Sequence, residues 1–199
     1  MTEMDDTLLQ CAKMMDLSAL TAPKSAGQDF VVTAVLDRAR TDEVGAKMIE
    51  RGESEDQPMF VRDGKSVRAS GAMLLVGLKD AKPVGLNCGA CGFATCDGLK
   101  RNFDVAGAKK NITGDAEQEG GGTQGPATGG DFNGPICAFR LLDMGIALGS
   151  AVKTAGIHNA DNRIMYRAGV TALEMGLIDA DYVMAVPLSA AGKSVFFDR

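Results

Sequence analysis

The chain has 199 residues, which is enough for one domain with a sizeable core. Its 45% hydrophobic content excludes a globally disordered chain, and its net charge of -5 argues against nucleic-acid binding, which draws most of its affinity from basic residues. No apolar run is long enough to cross a bilayer, and the N-terminus is acidic where a secretory signal is basic, so we expect a cytoplasmic protein that does not enter the membrane.

The first part of the chain predicts helices with short buried strands between them. Apolar residues recur at helical spacing over residues 7–19, and Cys11 lies on that apolar stripe. Continuously apolar residues at 72–78 are typical of a strand that is covered on both faces. Residues 30–36 fit a buried strand or a short helix, and their β-branched side chains favour the strand. The other predicted elements are a helix capped by Thr41 and ended by Gly52, and a short helix at 63–70.

Residues 106–134 are rich in glycine, poor in apolar residues and without periodicity, which predicts a long mobile loop. Apolar and small residues then cover nearly every face of residues 138–155, which predicts a central helix buried by its neighbours. Gly145 and Gly149 within it imply close approach by another element. A helix capped by Asp161 and closed by Gly176, and a last strand at 181–188, complete the pattern.

The predicted order favours one α/β (α+β) layered domain over residues 1–199. Within it, residues 86–137 form a cysteine-rich segment that contains the glycine-rich loop.

Three cysteines follow the strand at 72–78, and Cys88, Cys91 and Cys96 have the spacing C-x2-C-x4-C. The two-residue gap lets one turn present two thiolates to the same centre. Gly89 and Gly92 permit a positive φ, so that backbone N–H groups can approach the sulfurs. Thiolates are soft ligands that select zinc, copper(I) or iron–sulfur clusters, and in a reducing compartment the pattern predicts a metal centre rather than disulfides.

The fourth ligand must come from elsewhere in the chain. Cys137 opens a helix, whose positive end stabilises a thiolate, and is a better candidate than Cys11, a core residue of the first helix. Structural zinc favours paired C-x2-C knuckles or mixtures with histidine, and the chain has no second pair and one histidine. Our first hypothesis is therefore an iron–sulfur cluster on these four cysteines, and the alternative is a structural four-cysteine zinc site.

The run at 86–92 resembles the four-iron four-sulfur motif of electron-transfer subunits of anaerobic metabolism, and most of the chain resembles the prokaryotic ferredoxin-domain proteins, domain of unknown function 2148. This second resemblance implies a cluster-binding protein. The residues that carry it are those at 21–24, the cysteine run, 137–139, 143–151, 161–166, 187–193 and 196–199.

The order of a loop at 22–25, a small-residue helix and a strand at 182–187 is also similar to that of flavin nitroreductases. That likeness implies a nitroreductase-like sandwich, a homodimer and FMN as a further cofactor. Four polar residues on loops or at a predicted helix start are candidate cofactor or substrate contacts: Lys24, Asn162, Arg163 and Lys193.

Three functions follow from these residues. The first is a redox protein, with an oxidoreductase activity left open, that exchanges single electrons with a partner protein or a small-molecule substrate. The second is a non-redox binding protein whose zinc site staples the glycine-rich region. The third is an enzyme with Cys91 or Cys96 as nucleophile, which needs His158 as its base because the chain has no other histidine.

Overall fold

The computed structural model describes residues 2–109 and 130–197, with the side chains of 103–109 outside that description. In these ranges six α-helices surround a four-stranded antiparallel sheet of order β1-β2-β4-β3. The helices are α1 (Glu3–Thr21), α2 (Arg38–Ser54), α3 (Pro58–Arg68), α4 (Cys96–Lys109), α5 (Ala138–Ile157) and α6 (Tyr166–Glu174). The strands are β1 (Val31–Leu36), β2 (Ala72–Leu78), β3 (Asp161–Asn162) and β4 (Tyr182–Ser189). None of these helices is long and apolar enough to cross a membrane.

Strand β2 is central in the sheet, and all seven of its residues are buried. Leu74 and Val76 point into a core formed with α1 and α5, whereas Met73 and Leu75 point into a second core formed with α2, α3 and α6. Side chains alternate between the two faces of a strand, so a strand between two helical layers must be apolar at every position. The predicted α/β domain of helices layered on a sheet is therefore confirmed.

The predicted start and end of the second helix are wrong. The Asp37 carboxylate accepts the Arg40 N–H at 2.9 Å, so α2 begins three residues before Thr41. Thr41 lies inside the helix with its hydroxyl buried. Gly52 also lies inside it, where a Cβ would meet the backbone nitrogen of Val61 at 2.7 Å. This glycine therefore permits close packing of α2 on α3 rather than ending a helix.

The predicted cap of the last helix is also wrong. Asp161 lies in β3 and pairs with Ser189 of β4, and α6 begins only at Tyr166. Met165 exchanges backbone hydrogen bonds of 2.7 and 3.1 Å with Ala185 of β4. Pairing with the sheet satisfies these backbone groups and delays the helix. Its C-terminal end is as predicted, since Gly176 has a φ of 67°.

One face of α5 contradicts the prediction of burial on nearly every side. Leu142 and Ile146 are 55% and 38% exposed. A Cβ at Gly145 or Gly149 would meet nothing within 4 Å, so no element in the described part of the chain approaches these glycines. The only charged residue on this exposed face is Lys153, because Arg140 and Asp143 point into the protein. The face is therefore apolar, and the described residues of the chain leave it uncovered.

The predicted glycine-rich loop over 106–134 lies largely outside the described residues. Residues 106–109 are the last part of α4, so the helix extends into the predicted loop. Residues 130–137 have no regular secondary structure and lead the chain to α5.

Gly169 of α6 lies against β4, where a Cβ would stand 2.4 Å from the Val183 carbonyl oxygen. We expect Gly169→Ala to lower the free energy of unfolding by about 1–3 kcal/mol, because the helix must move off the strand. Gly156→Ala is the matched control, since this helical glycine has nothing within 4 Å of its Cβ position. Urea denaturation compares the two variants, and equal stability would show that α6 does not pack this closely on β4.

Candidate metal centre

The chain leaves β2 as an irregular segment that carries two of the cysteines and ends where the third begins α4. Its start is anchored, because Lys79 donates a backbone bond of 3.0 Å to Phe30 and the Asp80 N–H donates at 2.8 Å to the Asp181 carboxylate. Farther along, the Gly92 N–H donates to the Gly89 carbonyl at 2.9 Å. That bond closes a tight turn around Cys91.

Gly89 and Gly92 have the predicted positive φ values, 74° and 86°. Asn87 also has a positive φ, of 49°, which asparagine tolerates better than most residues. Its backbone N–H donates to the Cys96 sulfur at 3.3 Å, and its side-chain oxygen accepts the Cys96 N–H at 2.8 Å. Residues 87–96 are thereby closed into a cysteine loop, which holds Cys88 and Cys91 between its two joined ends.

Cys96 is the first residue of α4, and Thr95 is its cap. The Thr95 hydroxyl accepts the Gly98 N–H at 3.1 Å, and its carbonyl accepts the Leu99 N–H at 3.2 Å. Leu99 is 2% exposed and anchors the helix. The sulfur of Cys96 therefore lies at the positive end of a helix, where a negative charge is favoured.

Cys137 is likewise at a helix N-terminus, as predicted. It is the N-cap of α5, and its carbonyl accepts the Arg140 and Leu141 N–H groups at 2.9 and 3.1 Å. Its side chain makes no capping bond and is buried. Two of the four predicted ligands thus lie at helix N-termini, Cys96 as the first residue of α4 and Cys137 as the N-cap of α5.

All four predicted ligands are free thiols, with Cys88 exposed, Cys91 and Cys96 half-buried and Cys137 buried. Within residues 2–109 and 130–197, no group of three or more histidine, cysteine, aspartate or glutamate side chains is placed so as to hold a metal ion. The structure therefore does not bring the four thiols together, and their joint ligation stays a prediction. The donor chemistry fits a thiolate-bound centre, because three thiols share one closed loop and a backbone N–H already points at one sulfur.

Arg140 and Asp143 connect the two parts of the chain that carry the cysteines, and sequence reasoning missed both. Arg140 is fully buried, donates through Nε to the Lys82 carbonyl at 2.8 Å and pairs through Nη1 with Asp143 at 3.0 Å. It also bonds to the carbonyls of Ser25 and Gln28 and lies over the Phe30 ring. One guanidinium thus connects Lys82, near the start of the segment that carries the cysteines, to α5 one turn beyond Cys137.

The Asp143 carboxylate is held in its charged form. Burial raises its pKa, but the side-chain and backbone hydrogen bonds from Ser25 and the pair with Arg140 outweigh burial, so that the pKa is lowered overall. The signal in the sequence was present: two opposite charges stand three residues apart in a helix that is otherwise almost free of charge.

All four of the other candidate contacts interact with the protein itself. The Lys24 side chain is 6% exposed and donates to the Ala19 and Leu20 carbonyls at 3.0 and 2.5 Å, which satisfies the C-terminal end of α1. Asn162 donates to the Ala160 carbonyl at 3.0 Å, and Arg163 to the Phe196 carbonyl at 3.1 Å. The fourth, Lys193, lines a cavity.

Cys11 of α1 is buried in the hydrophobic core that α1 and α5 form with the sheet, as predicted, and burial raises the pKa of its thiol. In metal-free protein we expect iodoacetamide to alkylate Cys88 first and Cys11 last, because the reagent attacks accessible thiolates. Peptide mass spectrometry over a time course measures this order. Equal rates at the two residues would show that α1 is not packed against the core.

A sequence family described as an uncharacterized protein containing a ferredoxin domain, domain of unknown function 2148, matches residues 133–199. An uncharacterized protein of Archaeoglobus fulgidus is 45% identical over 188 residues, which cover 94% of this chain and 89% of the relative. The chain belongs to this family. As a member of the ferredoxin-domain family, it has in its matched part Cys137, all of α5 and the segment after β4.

The family description points to iron–sulfur electron transfer. It names neither a flavin nor zinc. The three cysteines of the closed loop precede the matched residues, but the similarity to the archaeal relative extends over nearly the whole chain.

Proposed function

We propose that this ferredoxin-domain protein holds a four-iron four-sulfur cluster on Cys88, Cys91, Cys96 and Cys137 and works in electron transfer or as a small redox enzyme. The observation that carries the proposal is the closed cysteine loop, in which the Asn87 N–H donates to the Cys96 sulfur at 3.3 Å. Such N–H donors to sulfur are a recurrent means of setting the potential of a cluster, which takes up or gives one electron at a time.

The chain's own residues have distinct tasks in this proposal. Cys96 and Cys137 lie at the N-terminal ends of α4 and α5, and the positive ends of these helices offset part of the negative charge that four thiolates collect. The exposure of Cys88 leaves one side of the loop open to a redox partner protein or a small-molecule substrate. Arg140 fixes α5 to Lys82, which precedes the cysteine loop in the chain.

A structural zinc site is the second candidate. The tight turn closed by Gly92 and Gly89 between thiols two residues apart also suits one corner of a tetrahedral site with four cysteine ligands. In that case the same four residues would stabilise the segment without redox chemistry.

The deciding experiment is purification without oxygen, followed by visible spectra before and after dithionite and by iron, sulfide and zinc analysis. We expect a broad brown absorption that bleaches on reduction, with iron and sulfide in equal amounts. Stoichiometric zinc without acid-labile sulfide would replace the redox function by the structural one.

We further propose that the protein forms a homodimer through the open face of α5. The face is apolar and carries one charge, which suits a second copy of the same face better than water. Sedimentation equilibrium should show a dimer, and Ile146→Glu should yield a folded monomer because two copies of the new charge would face each other. A wild-type monomer at all concentrations would exclude this interface.

A further inference from the structure

A cleft of about 410 Å³ lies between α3 and the segment that follows β4. Arg62, Lys65 and Ser66 of α3 form one wall, and Lys193, Ser194 and Val195 form the other. Its volume is in the range of about 300–1,000 Å³ that small-molecule sites occupy. The cleft is therefore large enough for a ligand with an organic part.

The C-terminal wall is held against the helix at several points. The Ser66 hydroxyl donates to the Val195 carbonyl at 2.9 Å. Phe196 is buried in the second core, and Arg163 donates to its carbonyl at 3.1 Å while lying over the Phe197 ring. These contacts anchor residues 195–197. The position of Lys193 and Ser194 opposite α3 therefore does not depend on a bound ligand.

Among the residues that the structure describes, the polar side chains lining the cleft are three cations and two serines. The neighbouring Asp63 is buried and pairs with Arg62 at 2.6 Å and with Arg167 at 3.0 Å, so its charge is already balanced. On a chain of net charge -5, such a group of cations creates a local field that attracts anions.

We propose that this cleft binds a small phosphomonoester. A phosphate group carries a charge of about -1.5 to -2 at neutral pH and has three strong acceptor oxygens, which match the cations of the two walls and the Ser194 hydroxyl. The cleft exceeds the size of a phosphate alone, and Ala69 and Val195 provide apolar surface for the organic part. This inference is independent of the metal bound at the cysteines.

The test is isothermal titration of the intact protein, as purified, with phenyl phosphate at low ionic strength. We expect saturable binding, weakened by about tenfold in Lys193→Ala and in Lys65→Ala, a change of the size that loss of one charge-assisted contact produces. Lys47→Ala is the matched control because this exposed lysine pairs with Glu50 on α2, and its affinity should equal that of the wild type.

Benzoate serves as the probe for a bare carboxylate and should bind more weakly than phenyl phosphate. Thermal unfolding of each variant without ligand separates a lost contact from a lost fold. Absence of saturable binding up to millimolar phenyl phosphate, or equal weakening in the Lys47→Ala control, would overturn the proposal.

Discussion

Replacing Arg140 with methionine should lower the free energy of unfolding by about 3–5 kcal/mol, the cost of leaving a buried charge without its partner. Methionine fills much of the same space, so the loss comes from the unpaired Asp143 carboxylate and from the carbonyls of Ser25, Gln28 and Lys82, which lose their donor. Urea denaturation followed by circular dichroism gives the difference directly.

The chain contains a matched control for this prediction. Arg40 and Glu43 form a pair with the same three-residue spacing and a distance of 2.8 Å, but their side chains are 59% and 51% exposed. Arg40→Met should therefore change the free energy of unfolding by about 0–1 kcal/mol. Similar losses in the two variants would show that burial does not govern the Arg140 pair.

Acid tests the other partner of this pair. The pKa of Asp143 is lower in the folded protein than in the unfolded chain, so its contribution to stability is complete above the unfolded value of about 3.9 and is lost as the pH falls through the folded value. We expect the wild type to lose stability below that unfolded value, and Asp143→Asn to show a shallower loss. Denaturation curves between pH 2 and pH 6 measure both slopes. Parallel slopes would mean that Asp143 does not carry this dependence.

Loss of any one predicted ligand is the second change with a large expected effect. Alanine at Cys88, Cys91, Cys96 or Cys137 should remove most of the iron and sulfide and the visible absorption, because a thiolate-bound cluster needs four protein ligands. Iron and sulfide analysis of anaerobically purified variants measures the effect.

Cys11→Ala is the control. This thiol lies in the hydrophobic core between α1, α5 and the sheet, so its replacement should leave the cluster intact. Far-ultraviolet circular dichroism shows whether each variant folds, which matters most for the buried Cys137. Full iron in Cys137→Ala together with loss in Cys11→Ala would reverse the assignment of the fourth ligand. Full iron in all four variants would contradict the site altogether.

Local patterns predicted the elements well where one residue type dominates a short stretch. The apolar run of β2 and the helical stripe of α1 are examples, because burial on both faces or on one face leaves a periodic trace in the sequence. Helix ends were predicted less well. Thr41 and Asp161 both suit a helix cap, yet Asp37 caps α2 and β4 takes Asp161 into the sheet. Which of several polar residues becomes a cap depends on what lies beside it.

The sequence by itself determined the candidate metal centre, because Cys88, Cys91 and Cys96 are close together along the chain and their C-x2-C-x4-C spacing is typical of a thiolate metal site. Only the tertiary structure decided that Arg140 ties this segment to α5, that Lys24 ends a helix and that Lys193 faces α3 across a cleft. The residues in two of these arrangements, Lys82 with Arg140 and Ser66 with Val195, are 58 and 129 positions apart. Contacts over such separations follow from the packing of whole layers, which leaves no periodic trace at the individual residues.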